Sequence, residues 1–202
     1  MSQEFSENNQ RLIELLRSKL SNKIKNFRNS CGDLEIRLEA KDLRDVVQIL
    51  KLDQELDFDM LLSVTAIDFL DSDFFPRSLD DGTLIDERFD VVYHFLSLKN
   101  LFRLRIKIAL SEINLEIATL TDLYKSANFL EREAWDMYGI KFKGHPDLRR
   151  ILMYEEFKGH PLRKDYPVQG KQPRVKLRYP EVTNTARDMR RSELININKR
   201  KA

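Results

Sequence analysis

Leu12, Ile13, Leu15, Leu16, Leu20 and Ile24 recur near helical spacing, which predicts an amphipathic helix over residues 9–27. Strict alternation follows in Asp33-Leu34-Glu35-Ile36-Arg37-Leu38-Glu39, the pattern of a strand with one wet face. Asp42 stands where a cap would open a short helix with apolar positions Leu43, Val46, Val47 and Leu50. The nearly continuous apolar run from Met60 to Ile67 predicts a central strand covered on both faces. Residues 68–87 are acidic, contain Pro76 and Asp81-Gly82, and read as a long loop insertion. Two more strands are expected from Phe89 to Leu98 and from Phe102 to Leu110, turning at Lys99-Asn100. In the second of these, Arg103, Arg105 and Lys107 alternate with Leu104, Ile106 and Ile108, giving one basic face.

Helical segments are expected at 122–125 and 129–138. In the latter, Asn128 three residues before Glu131 has the spacing of a capping box, and Gly139 supplies a left-handed stop. Arg132 is placed to pair with Asp136 one turn on. The order α-β-α-β-β-β-α-α predicts an α+β body over 1–140: a mainly antiparallel sheet with helices packed on one side.

Beyond it the periodicity ends. The chain says Gly-His-Pro twice, at Gly144-His145-Pro146 and Gly159-His160-Pro161, each followed by a leucine and a basic pair. Proline drives the residue before it out of helical geometry, and Pro161, Pro167, Pro173 and Pro180 recur too often for a useful helix. Only residues 185–194 could form a short one. Residues 141–202 are therefore expected to be a long irregular arm whose apolar anchors and arginines lie on a foreign surface.

Charge supports that division. The 202-residue chain has a formal net charge of +2, yet residues 141–202 sum to +10 and the remainder to −8. Such asymmetry marks a tail that binds something acidic. The polar N-terminus does not read as a secretory signal, and no apolar run approaches the ~18 residues of a membrane span. One cysteine, Cys31, excludes an intrachain disulfide and fits a reducing compartment.

Chemistry is not legible. An iron–sulfur cluster needs about four thiolates. His94, His145 and His160 are too scattered for a zinc site. Phosphate-cradling glycine motifs and hydrolase elbows are missing. No catalytic, cofactor-binding or metal residues are therefore assigned. His94 reads as a hydrogen-bonded sheet residue, and His145 and His160 as braces for the Gly-His-Pro turns.

Glu131-Arg132-Glu133, Trp135-Asp136-Met137-Tyr138-Gly139, His145-Pro146-Asp147-Leu148-Arg149-Arg150-Ile151-Leu152 and His160-Pro161-Leu162-Arg163-Lys164-Asp165-Tyr166 together resemble the 30 kDa, or C, subunit family of respiratory complex I, the proton-pumping NADH:quinone oxidoreductase. Arg88-Phe89-Asp90-Val91-Val92-Tyr93-His94 is similar to the same family. The resemblance implies a non-catalytic scaffold on the cytoplasmic side of the inner membrane, peripheral to it. It would pack on the quinone-site D subunit of the complex, with the B and I subunits nearby. The resemblance also implies that FMN and iron–sulfur clusters belong to partner proteins, and that the complex passes electrons from NADH to a quinone such as ubiquinone. On this reading Glu133, Asp136, His145, Arg149, Arg150, His160, Arg163, Lys164 and Tyr166 face a partner. An equivalent subunit of a membrane-bound hydrogenase or of an F420H2 or ferredoxin oxidoreductase is the alternative. A nucleic-acid-binding tail is the remote one, disfavoured by the acidic body.

Overall fold

The computed structural model describes residues 6–20, 22–72, 76–78, 82, 84–169, 172 and 173. In chain order the elements are α1 (Glu7–Leu20), β1 (Asn26–Ser30), β2 (Asp33–Leu38), α2 (Leu43–Leu52), β3 (Met60–Asp68), β4 (Arg77–Ser78) and β5 (Leu84–Ile85). Then come β6 (Phe89–Leu96), β7 (Arg103–Leu110), β8 (Glu116–Ala118), α3 (Ala127–Tyr138) and β9 (Lys141–Lys143). Five strands form one sheet in the order β1-β2-β7-β6-β3. All its pairings are antiparallel except β2 with β7, so the expected mainly antiparallel α+β sheet is found.

Period-two sequence makes the core. Leu34 and Ile36 from β2, Ile106 and Ile108 from β7, and Phe89, Val91, Tyr93 and Phe95 from β6 turn inward. There they meet Leu12 and Leu16 of α1, Val46, Val47 and Leu50 of α2, and Ala127 and Ala134 of α3. Beneath them Phe58 meets Phe95 edge-on at 6.5 Å, and the Tyr124 hydroxyl donates to Phe58 O at 2.6 Å.

Several expectations are corrected. The first helix ends at Leu20, and residues from Asn26 pair as β1 antiparallel to β2. Helical spacing runs on through Ile24 almost to Phe27, but strand pairing overrides that local period. Strand β3 is an edge strand, not a doubly covered central one. A register shift between Leu61 and Ser63 breaks its apolar run, so Leu61, Val64 and Ala66 point in while Met60, Leu62 and Ile67 are exposed. Asp42 precedes α2 but makes no side-chain cap bond. Within the expected loop at 68–87, β4 and β5 form a small antiparallel pair. Residues 122–125 do not form a helix, and α3 begins at Ala127 without a side-chain cap. The candidate helix at 185–194 lies outside the described residues.

On the outer sheet face two members of the basic stripe of β7, Arg105 and Lys107, are matched by partners. Lys107 Nζ lies 2.8 Å from Glu35, and Arg37 lies 3.0 Å from the fully buried Asp90. Arg105 Nε donates to His94 Nε2 at 3.0 Å, and burial, then the Arg105 charge, hold the His94 pKa down. His94 is the hydrogen-bonded sheet residue the sequence indicated.

Candidate functional site: helix α3 and the segment that caps it

Residues 144–166 lie on a surface, and that surface is the chain's own helix α3. A helix leaves its last four carbonyls without intrahelical partners. Here Gly139, at φ 79°, returns its N–H to Trp135 O at 2.8 Å, the expected left-handed stop. The next three carbonyls take donors from the second Gly-His-Pro copy. His160 Nδ1 meets Asp136 O at 3.0 Å, Leu162 N meets Met137 O at 3.1 Å, and Arg163 Nε meets Tyr138 O at 2.6 Å. Gly139 is needed for space as well as for φ, since a Cβ there would lie 2.6 Å from both His160 and Arg163.

The first copy grips the other end of the helix. His145 Nε2 meets Asn128 O at 3.0 Å, while its Nδ1 accepts the Asp147 N–H at 3.0 Å. A carbonyl can only accept, so His145 carries its proton on Nε2 and His160 on Nδ1. Burial holds the His160 pKa below the usual histidine value, partly offset by its bond to Asp136 O, which suits a neutral brace. Both histidines brace as expected, and the repeat in sequence is a repeat in role.

Between the braces, fully buried Asp136 orders the segment. Its Oδ2 accepts the N–H groups of Ile151, Leu152 and Met153 at 2.9 to 3.1 Å, and its Oδ1 accepts Arg150 at 2.5 Å. Burial pushes this carboxyl up, but the Met153 N–H, the Arg150 guanidinium and the other two N–H groups together hold it below the ordinary aspartate value. Arg150 also donates to Phe157 O and Gly159 O, with its guanidinium 5.7 Å from the Trp135 ring and 5.5 Å from that of Phe157. Arg132 does not pair with Asp136 as its spacing suggested; it donates to Arg149 O and Arg150 O.

A second carboxylate cluster fastens the far end. Arg88 forks onto buried Asp68 at 2.8 and 2.7 Å and reaches Glu112 and Asp165, while Lys164 N donates to Asp68 Oδ2 at 2.9 Å. Burial raises the Asp68 pKa, yet Arg88 and the Leu70 and Lys164 N–H groups outweigh it.

The candidates therefore separate. Asp136, His145, Arg150, His160 and Arg163 are engaged in hydrogen bonds within the chain. Tyr166 stacks on Phe157 at 5.9 Å, again internally. Glu133 and Lys164 have exposed side chains, and Arg149 is exposed, its side chain paired among the described residues with its near neighbour Asp147 at 2.9 Å. Outside this set, Arg88 and Asp68 are organising residues that sequence reasoning does not single out, and Glu131, marked there only as a capping-box position, is a third. Their pairings span long sequence separations, and only the Arg88-Phe89-Asp90 and Glu131-Arg132-Glu133 motifs hint at them.

Glu131 is fully buried and does not cap its own helix. It accepts Leu120 N at 2.7 Å and lies 2.5 Å from Thr119 Oγ1, tying α3 to the loop after β8. Burial raises its pKa to about 7, against the lowering effect of those two bonds. Among what the docked segment turns outward are large apolar side chains: Leu152 is 57% exposed and Leu162 51%, with Ile151 and Tyr154 also exposed.

Comparison with known proteins places these features. Residues 36–172 match the family described as respiratory-chain NADH dehydrogenase, 30 Kd subunit. The C subunit of NADH-quinone oxidoreductase from Legionella pneumophila (strain Philadelphia 1) is 39% identical, the match covering 85% of this chain and 82% of the relative. Its counterpart from Trichlorobacter lovleyi is 43% identical, over 79% and 90%. Among solved structures, the trypsin-resistant fragment 1–134 of Nqo5 aligns at TM-score 0.55 with 30% identity, over 70% of this chain and 99% of the fragment. A chain of an archaeal respiratory membrane complex, the membrane-bound sulfane sulfur reductase, shares the fold at TM-score 0.60 and 20% identity, over 81% of this chain and 88% of its own.

Proposed function

The chain belongs to the 30 kDa subunit family of the respiratory-chain NADH dehydrogenase, and from that premise we propose that it is a non-catalytic scaffold of the enzyme's hydrophilic part. One observation carries the reading. Arg150, Arg163, His145 and His160 of the arm are bound to α3, whereas Ile151, Leu152, Tyr154 and Leu162 are left outward. Apolar side chains arranged on a hydrogen-bonded frame suit a protein partner, where aromatic and aliphatic anchors fill pockets. The partner proposed is the quinone-site D subunit of the complex, with the B and I subunits nearby. The electron carriers, FMN and iron–sulfur clusters, are assigned to other proteins of the assembly. Proton translocation and quinone reduction, ubiquinone included, belong on this reading to the assembled complex.

No helix among the described residues is long and apolar enough to cross a membrane. Attachment to the cytoplasmic face of an inner membrane would thus come through partners. The solved Nqo5 relative is a trypsin-resistant fragment, and the body of this chain is proposed to resist protease in the same way, with cleavage confined to the arm.

Co-purification with the quinone-site partner tests the proposal. Leu152→Asp combined with Leu162→Asp should abolish capture of that partner while leaving the far-ultraviolet dichroism and melting of the isolated chain unchanged. Undiminished capture would refute it, as would stoichiometric iron or flavin in the purified chain.

A further inference from the structure

Glu131 sits where three parts of the body meet: α3 that carries it, the loop Thr119–Thr121 after β8, and Tyr93 of β6. Its side chain is entirely removed from solvent. Among the described residues no lysine, arginine or histidine stands within ion-pair distance of it. The nearby charge it feels is Asp122, of like sign, which is engaged by Arg44 of α2. Arg132, next in sequence, is directed to the arm carbonyls, and His145 is held to Asn128 O one turn away. The Tyr93 hydroxyl, also fully buried, has no hydrogen-bond partner among the described residues, and its own ionisation is opposed by burial and by Glu131. A charged carboxylate here would be compensated only by Leu120 N and one hydroxyl, and burying an unpaired charge is costly.

The contacts work in both protonation states, but in opposite directions. When Glu131 is neutral, its Oε2–H donates to Thr119 Oγ1, and the Thr119 hydroxyl donates to Thr121 Oγ1 at 3.0 Å. When the proton leaves to solvent, the chain reverses: Thr121 donates to Thr119, and Thr119 to the carboxylate. Leu120 N donates to Oε1 in either case. The bonds survive, and the difference is an uncompensated charge in the junction. Thr119 N is in turn bonded to Lys143 O of β9 at 3.0 Å, so the junction also holds the strand that leads into the arm.

We propose that Glu131 is a proton-operated latch, whose neutral form locks the Thr119–Thr121 loop to α3 and whose ionisation loosens that junction and with it the base of the arm. The raised carboxyl pKa of about 7 agrees with this geometry. The proposal concerns the body of the chain and does not depend on which protein covers the arm.

The test uses the full chain. Carbon-13 NMR of glutamate carboxyls should show one titration midpoint near 7, missing in Glu131→Gln. Hydrogen exchange at residues 119–121 and in the first half of α3 should report the opening that exposes the carboxyl. Corrected for intrinsic rates, that opening should rise about tenfold per pH unit between roughly pH 5 and 7 and level off above. In Glu131→Gln it should be flat. A midpoint in the ordinary glutamate range overturns the proposal, as does an unchanged pH dependence in the variant. Should the variant not fold, the wild-type midpoint alone decides.

Discussion

The body and residues 144–166 are held by different forces. In the body, three helices bury leucines and valines against a sheet whose inward side chains are almost all removed from water. In the arm segment most side chains remain exposed or half-buried, and attachment comes from directional contacts to one helix and one carboxylate pair. Apolar burial is tolerant of small displacements, whereas a carboxylate accepting three consecutive N–H groups is not. The arm should therefore be the part that opens locally while the body stays folded.

The sharpest break in this comparison is a body substitution. Phe95→Ala should cost about 3 to 5 kcal/mol and lower the stability of both regions together in urea denaturation. Asp136→Ala strands the largely buried Arg150 guanidinium and three backbone N–H groups, a change of about 3 to 5 kcal/mol for a buried pair. Its effect should be regional: limited proteolysis should accelerate in residues 144–166 with little change in the urea midpoint of the body. Coincident loss of both regions would erase the distinction.

A pH series comes next. Because Glu131 holds its proton more tightly folded than unfolded, its favourable contribution is complete below about pH 4.5. It diminishes as pH rises and is gone above about 7. Over that window Glu131 should lower unfolding stability by about 3 kcal/mol, and Glu131→Gln should remove this slope. Gly139→Ala forces a left-handed alanine, about 1 to 2 kcal/mol, and displaces His160 and Arg163. Protease sensitivity should then appear first around residues 160–166. Arg149→Ala, at an exposed pair, should change stability by less than about 1 kcal/mol.

Much of the body is legible because burial imposes a period: β2, α2, β6 and β7 stand where alternation and helical spacing put them. β1 lies partly within an apparent helical run, and β3 has the apolar continuity of a central strand. Pairing partners, not local pattern, decide which segment is a strand and which strand is an edge. The Gly139 stop is visible as a glycine after a periodic run. The fates of Glu131, Arg132 and Asp136 are not, because helix spacing offers each a near partner while the fold supplies a better one far away. The two Gly-His-Pro copies are visible as turns, but that both serve a single helix requires the helix to be in place.

Hydrogen exchange of the purified full chain, resolved to single amides, examines most directly whether the arm segment is held by its own helix. The Ile151, Leu152 and Met153 amides that converge on Asp136, and the Leu162 amide on Met137 O, should exchange more slowly than their intrinsic rates yet faster than the β6 core. The protection of the first three should vanish in Asp136→Ala. Exchange at the intrinsic rate in the unsubstituted chain would show that the segment takes its shape only against another protein.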